Sequence, residues 1–524
     1  MRRLTALLAA ATVLLPVTLV SAPASAAAAT AYLTVITYDR SGAKLKAPLH
    51  LINLDNGQEY QGTSLKAKKL KKGKYAVLTD VYSTKDGTDT LGARVLKVSG
   101  RTTTTIDARR GKPVKLALDK NPGDAFRQEL RAQICADSDS SGTEIGAWNV
   151  PGKLFVIPNS SKRLQFAYSS NWSDGAMGNL WMVAGATKSA VPAGVSRTYR
   201  AASLATVTGW VKRGPAGSDN VSLSLEENTP CHAGYGASAF SGISPVVAKI
   251  HASPGRWRLE ADWWGAESGG SSAHMGFDVR NLTLAAGKSY SRSFFSAAWG
   301  PGRSLPLMFS STLRFDTSLM FTDPSYDEYS EASERSRVTL YNSANKVLKA
   351  QWRTDWEGKG PEFSAKIKKK GWYRLEVDAR RYRPGITHPA DMLSPRAQAI
   401  FGMKLNPKAK SRHADVILPR MVPAGLDMNN RARAGSSTVL EIRPDRRRNT
   451  PDLKLAKVTA KKVTAQVSFD NGRTWRSLPV KKVGGRWQAT IQNPASGAVA
   501  LRSRITTTKG EYAQVTIYRA YTVG

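Results

Sequence analysis

The chain is 524 residues long and carries 77 Lys and Arg against 40 Asp and Glu, a formal net charge of +37. Apolar residues make up 41%, with 13 Trp, 17 Tyr and 13 Phe, which excludes a disordered polycation and supplies several cores at about 150 residues per domain. The 43 Gly and 26 Pro follow no collagen period, and six scattered His with two Cys point away from a zinc or iron–sulfur protein, so neither metal nor cofactor is expected.

Arg2 and Arg3 precede an apolar run from Leu4 to Val20, broken at Pro16, and then Ser21-Ala22-Pro23-Ala24-Ser25-Ala26. A short positive region, an apolar stretch and a small-x-small end indicate a signal peptide over 1–26 rather than a membrane anchor. No later run reaches the roughly 18 apolar residues of a membrane span. A secreted, extracellular protein is expected. Cys135 and Cys231 then predict one disulfide, closing a loop of 96 residues. The sharper alternative is a nucleophile pair made from Cys231 and His232.

Residues 27–120 alternate apolar and polar positions in short runs such as Tyr32-Leu33-Thr34-Val35-Ile36 and Arg94-Val95-Leu96-Lys97-Val98, separated by turn residues. That pattern predicts a small antiparallel sandwich. Leu70-Lys71-Lys72-Gly73-Lys74-Tyr75 resembles the Leu-x-x-Gly-x-Tyr strand start of carboxypeptidase-regulatory-like modules, which implies a transthyretin-like β-sandwich. Lys66, Lys68, Lys69, Lys71, Lys72 and Lys74 crowd the same stretch.

Residues 121–300 form a Trp-rich sandwich segment of nearly balanced charge, with eight of the 13 Trp. Phe126, Leu130 and Ile134 at four-residue spacing make 124–134 the main helical candidate. Asp137-Ser138-Asp139-Ser140-Ser141-Gly142 begins like a calcium loop, but Trp148 stands where a bidentate Glu belongs. Trp263 and Trp264 are adjacent, so on a strand they face opposite ways, and one of them is a candidate glycan-stacking platform. Arg258-Leu259-Glu260-Ala261-Asp262 after Gly255 recurs as Arg374-Leu375-Glu376-Val377-Asp378 after Gly371, predicting a related sandwich over 301–435. Lys366, Lys368, Lys369 and Lys370 precede that second copy. Asp323, Asp327, Glu328, Glu331 and Glu334 lie in a Ser/Tyr/Pro-rich stretch and are expected to be a solvated loop. In 436–524, a basic fibronectin-like sandwich, Arg446-Arg447-Arg448 leads the segment and Asn471-Gly472 predicts a two-residue hairpin turn. The fold expected is all-β, several antiparallel sandwiches in tandem.

Leu340-Tyr341, Tyr373-Arg374-Leu375-Glu376, Leu418-Pro419, Val467-Ser468-Phe469-Asp470-Asn471-Gly472-Arg473-Thr474-Trp475 and Arg519-Ala520-Tyr521 resemble the non-catalytic C-terminal region of secreted actinobacterial subtilisin-family peptidases. The resemblance covers the last third of the chain well and the middle loosely, and implies β-sandwiches hung beyond a protease core. The core itself is missing. No His is followed by Gly-Thr, and Gly62-Thr63-Ser64 continues into Leu65-Lys66 rather than Met-Ala. Gly-x-Ser-x-Gly and His-Glu-x-x-His are also absent, so no enzymatic activity is expected.

The positive charge concentrates in the first, third and fourth segments. Runs of like charge attract polyanions with salt-labile affinity. The main expectation is a non-enzymatic binder of an anionic cell-envelope polymer or acidic polysaccharide, without sequence-specific nucleic-acid readout. The alternatives are an accessory or decoy for a secreted peptidase, or a hydrolase with an unfamiliar site in 121–300.

Overall fold

The computed structural model describes residues 30–136, 144–175, 178–215, 220–227, 231, 240–266, 272–302, 305–325, 328–330, 333–356, 362–446 and 455–524. Among them the chain is all-β, with two short 3-10 turns at Ala108–Arg110 and Ala201–Ser203 and no α-helix. No helix among them is long and apolar enough to cross a membrane.

Period-two patterning builds the first sandwich. Thr30–Tyr38 buries Ala31, Leu33 and Val35 and turns Tyr32 outward. It lies between Ala67–Lys71, antiparallel, and Arg101–Asp107, parallel, in a three-stranded sheet. This sheet shares a core with a seven-stranded one through Leu33, Tyr75, Val77 and Ile106. The other face of Gly73–Ser83 is buried as well, because Ala76 and Leu78 meet Leu130, Ala132 and Ile134 of a further seven-stranded sheet. A strand buried on both faces needs a continuous apolar run, and Tyr75-Ala76-Val77-Leu78 supplies it.

The expected helix at 124–134 is instead the strand Arg127–Ala136. Leu130, Ala132, Ile134 and Ala136 line the core at period two, and the two small alanines conceal that period in the sequence. Its neighbour Leu164–Ser173 pairs along its whole length. Cys135 is bonded to Cys231 with the Cα atoms 5.5 Å apart, packed against Ala167. The Cys231 sulfur is therefore committed to a disulfide and is no nucleophile; His232 lies outside the described residues.

Sheets run across the expected segment limits. Leu154–Val156 and Val195–Tyr199 complete the sheet of residues 48–118. Downstream, a nine-stranded sheet combines Val347–Trp356, Ser333–Asn342, Gly371–Arg381 and Arg396–Leu405 with Tyr512–Val523, Gly497–Thr507 and Ala460–Ser468. The two groups join where Arg396–Leu405 pairs with Tyr512–Val523. A contiguous core from Leu180 to Val523 includes the inner face of this sheet.

The repeated strand start has a structural cause. Trp257 Nε1 donates to Ser253 O at 2.8 Å, and Tyr373 OH donates to Lys369 O at 2.6 Å. Tyr75 OH does the same to Lys71 O at 2.9 Å. In each corner a buried aromatic, two residues after a Gly, ties back to the carbonyl four residues earlier and fixes the turn.

Candidate polyanion-binding surface

The lysines of 66–74 do not form one loop patch. Ala67–Lys71 is an edge strand, so its side chains alternate. Lys69 and Lys71 point outward, and Lys69 stands directly across from Tyr32, which stands across from Arg101. The three make an exposed Lys–Tyr–Arg row. Lys68 lies half-buried on the side of Leu70, and Lys74 opposes Lys97 on the other sheet. Lys66 and Lys72 flank the edge strand. None of the six lysines joins an ion pair among the described residues.

Lys368, Lys369 and Lys370 are exposed in the Tyr373 corner, at the position that Lys71 and Lys72 occupy in the Tyr75 corner. Arg446 departs from the expected basic run. Its guanidinium donates to the carbonyls of Ala456 and Ala414, and burial lowers its pKa, so it braces the chain rather than facing solvent. Arg447 and Arg448 lie outside the described residues, as do Asp137–Gly142, Asp327 and Glu331.

The acidic stretch is not a solvated loop at Asp323 or Glu334. Both are buried, and Asp323 accepts from the amides of Ser296 and Ser325 at 2.7 Å while facing Arg280, itself paired with buried Asp278. Burial raises the Asp278 pKa well above the ordinary carboxylate range, opposed by the Arg280 charge. This network holds Asp278, Arg280 and Asp323 together within the core. Trp263 is 1% exposed, inside the core, and offers no face to a glycan. Trp264, on the opposite side of the strand, packs edge-on against His274 at 4.9 Å.

The larger basic surface is one that the sequence reading missed. Cross-strand register places Trp352, Arg337, Asp378, Gln398, Thr516, Arg502 and Gln466 in one row on the outer face of the nine-stranded sheet. At about 4.8 Å per strand the row is about 29 Å long. Arg335, Arg380 and Arg396 lie in the next row, and Tyr341, Arg374, Gly402, Tyr512 and Lys462's neighbour Thr506 in another. Aromatic rings lie against the cations. Arg335 and Arg337 flank Trp352 at 5.3 and 5.8 Å, and Trp352 is 62% exposed. Arg374 lies 4.3 Å from the Tyr341 ring, Arg396 4.8 Å from Tyr518, Arg502 3.9 Å from Trp475 and Arg504 3.5 Å from Tyr512.

Local chemistry seats these rings. Gly402 leaves the space that the Tyr512 ring fills, since a Cβ there would lie 2.1 Å from Tyr512 Cε1. Val467 pairs with Arg476, so the expected two-residue hairpin at Asn471-Gly472 is a longer loop. Asp470 holds it by accepting from the Thr474 amide and hydroxyl, which drives its pKa down. Trp475 Nε1 then donates to Gly472 O at 3.0 Å, fixing the indole beside Arg502. Among the charges, Arg396 is bonded to Asp378, which raises the Arg396 pKa, and Arg374 pairs with Glu376 at 2.8 Å. Arg335, Arg337 and Arg504 have only ring contacts among the described residues.

No known family model matches the chain, and no curated protein matches it. Among solved structures it is similar to BcpA, the major pilin subunit of Bacillus cereus, at 8% identity over 51% of this chain and 99% of that chain, with a TM-score of 0.14. The Bacillus anthracis TIE protein is similar at 10% identity over 74% of each chain, TM-score 0.14. Salmonella alpha-2-macroglobulin is similar at 10% identity over 91% of this chain and 44% of that chain, TM-score 0.15. The likeness is one of all-β architecture alone.

Proposed function

We propose that the protein is exported and binds an extended anionic polymer of the cell envelope or extracellular matrix, chiefly through the arginine–aromatic face of its nine-stranded sheet. The observation that carries this reading is the set of arginines stacked on aromatic rings across that face, Arg335 and Arg337 on Trp352, Arg374 on Tyr341, Arg396 on Tyr518, Arg502 on Trp475 and Arg504 on Tyr512. A guanidinium stacked on a ring is held rigid yet keeps its N–H edge available for bidentate contact with phosphate or carboxylate oxygens. Successive strands repeat that donor, so a polymer carrying regular charges meets several at once. The Lys–Tyr–Arg row of the first sheet is a second, smaller contact of the same kind. Export agrees with the signal-peptide pattern of 1–26 and with the Cys135–Cys231 disulfide.

The test is co-sedimentation with Gram-positive cell walls across a salt series, beside walls stripped of phosphate polymers. Binding is expected to fall linearly on a log–log plot and to vanish on stripped walls. The R335Q/R337Q/R504Q variant should reduce the slope by about two to three, at about 0.7–0.9 per lost contact. Wild-type binding by that variant, or binding indifferent to salt, rejects the reading.

A further inference from the structure

A cavity of about 330 Å³ lies where five separate parts of the chain meet: Arg213–Pro215, Asp391–Leu393, Asn429–Arg431, the start of the Gly497–Thr507 strand and residues 519–524 at the end of the Tyr512–Val523 strand. Two of its walls come from the Gly497–Thr507 and Tyr512–Val523 strands of the nine-stranded sheet, at residues outside the arginine–aromatic rows, and it is held open by hydrogen bonds between its walls. Arg213 N donates to Met428 O at 2.8 Å, Asn430 Nδ2 to Arg213 O at 2.8 Å and Leu393 N to Pro215 O at 2.9 Å. Asn430, which makes the link to Arg213, is fully buried, while Asp391 and Arg431 of the lining are exposed.

Three arginines, Arg213, Arg431 and Arg519, line the cavity, with Asp391 as the one acidic side chain among the described lining residues and the backbone of Gly524 beside Arg431. Arg519 is pinned, its Nε donating to Met392 O at 3.2 Å and its Nη2 to Asp391 O at 3.1 Å, which leaves both Nη1 donors and the second Nη2 donor. The Arg431 guanidinium has no hydrogen bond or ion pair among the described residues, although its main-chain amide is anchored on Asp427. Thr522 adds a hydroxyl, and Pro215, Leu393 and Val523 add an apolar wall. The volume falls at the small end of ligand sites, about 300–1,000 Å³.

We infer that this cavity is a binding site for one sugar-sized oxyanion, a hydroxylated ring bearing a carboxylate or phosphate, with the anion against Arg431 and Arg519. The arginines supply charge-assisted hydrogen bonds, Asp391 and Thr522 take hydroxyl groups, and the apolar wall covers the C–H face of the ring. The inference stands on different residues from the sheet-face reading and does not depend on it.

The experiment is calorimetric titration of the full chain with glucuronate, glucose 6-phosphate, inorganic phosphate and glucose. Both sugar anions are expected to bind, glucose at least about tenfold more weakly, since charge-assisted bonds exceed neutral ones. Binding of both anions assigns the shared oxyanion; binding of one alone assigns carboxylate or phosphate. R431Q should weaken the anions by about ten- to a hundredfold with the melting temperature retained, because its side chain braces no other group. D391N should tighten inorganic phosphate by removing a like charge. R335Q/R337Q/R504Q should titrate as wild type, which separates failure here from failure of the polymer reading. Anion binding that R431Q leaves unchanged, glucose binding equal to that of glucuronate, or no anion binding overturns the inference.

Discussion

Asp80 and Asp89 sit diagonally on the paired strands Gly73–Ser83 and Thr88–Val98, and both are largely buried. Burial raises the Asp80 pKa to about 7, with the Asp89 charge and hydrogen bond adding to it. Burial raises Asp89 as well, but the Asn149 amide, donating at 2.7 Å, opposes that rise. The pair therefore shares a proton held on Asp80. The native state keeps this proton up to about pH 7, whereas the unfolded chain releases it near 3.8. Between those values the native state binds more protons, so stability falls as pH rises, and above about 7 the full penalty is present. About three units at about 1.36 kcal/mol each put the ceiling on the order of 4 kcal/mol. Asp80→Asn replaces the shared proton with an amide N–H and removes the titration. Urea unfolding followed by far-UV circular dichroism, at several pH values between about 4 and 8, should show near equality with wild type at the acid end. At the alkaline end the variant should be more stable by a few kcal/mol. Glu227, raised to about 7 by burial, titrates in both proteins and cancels in the difference. A difference that stays constant across the pH range would refute the shared-proton account.

Gly402→Ala should destabilise by about 1–3 kcal/mol through overpacking, because the new methyl collides with Tyr512. Thermal melts of G402A, Y512A and the double variant check this, and the double variant should recover part of the loss. Removing the Cys135–Cys231 bond as C135S/C231S should lower stability by about 4–5 kcal/mol in the loop-entropy model, read as a drop in urea midpoint that reductant reproduces in the wild type. Tyr75→Phe and Tyr373→Phe each delete one hydroxyl donor to a lysine carbonyl, and each should cost about 1 kcal/mol by chemical denaturation. Unchanged stability in both would mean that the corners need only the ring.

The all-β architecture was legible because period-two runs such as Ala31, Leu33, Val35 place one face in a core wherever the strand pairs. The same rule failed at 124–134, where Ala132 and Ala136 carry the period without an apolar bulk to announce it. The disulfide followed from having two cysteines and an export pattern. The arginine–aromatic face left only local traces, Arg335-Ser336-Arg337 and Arg502-Ser503-Arg504, each with two cations on one side of a strand. What joins them is the pairing of Arg396–Leu405 with Tyr512–Val523, more than a hundred residues apart. No local pattern specifies which strands become neighbours, so a surface assembled across strands stays hidden while a run such as Lys68-Lys69 does not.

The placement of the two cations follows the same physics. Lysines occupy the corner turns and an edge strand, where a flexible stem and a hydrated ammonium deter pairing with another sheet edge. Arginines occupy the interior of a sheet face, where planar guanidiniums lie against Trp352, Tyr512 and Trp475. A side chain already ordered by a ring loses less rotamer freedom when an anion arrives, so each contact on that face retains more of its electrostatic gain. In the proposed reading, the lysine runs that are conspicuous in the sequence guard edges and attract at long range, and the dispersed arginines are the surface on which a polyanion would rest.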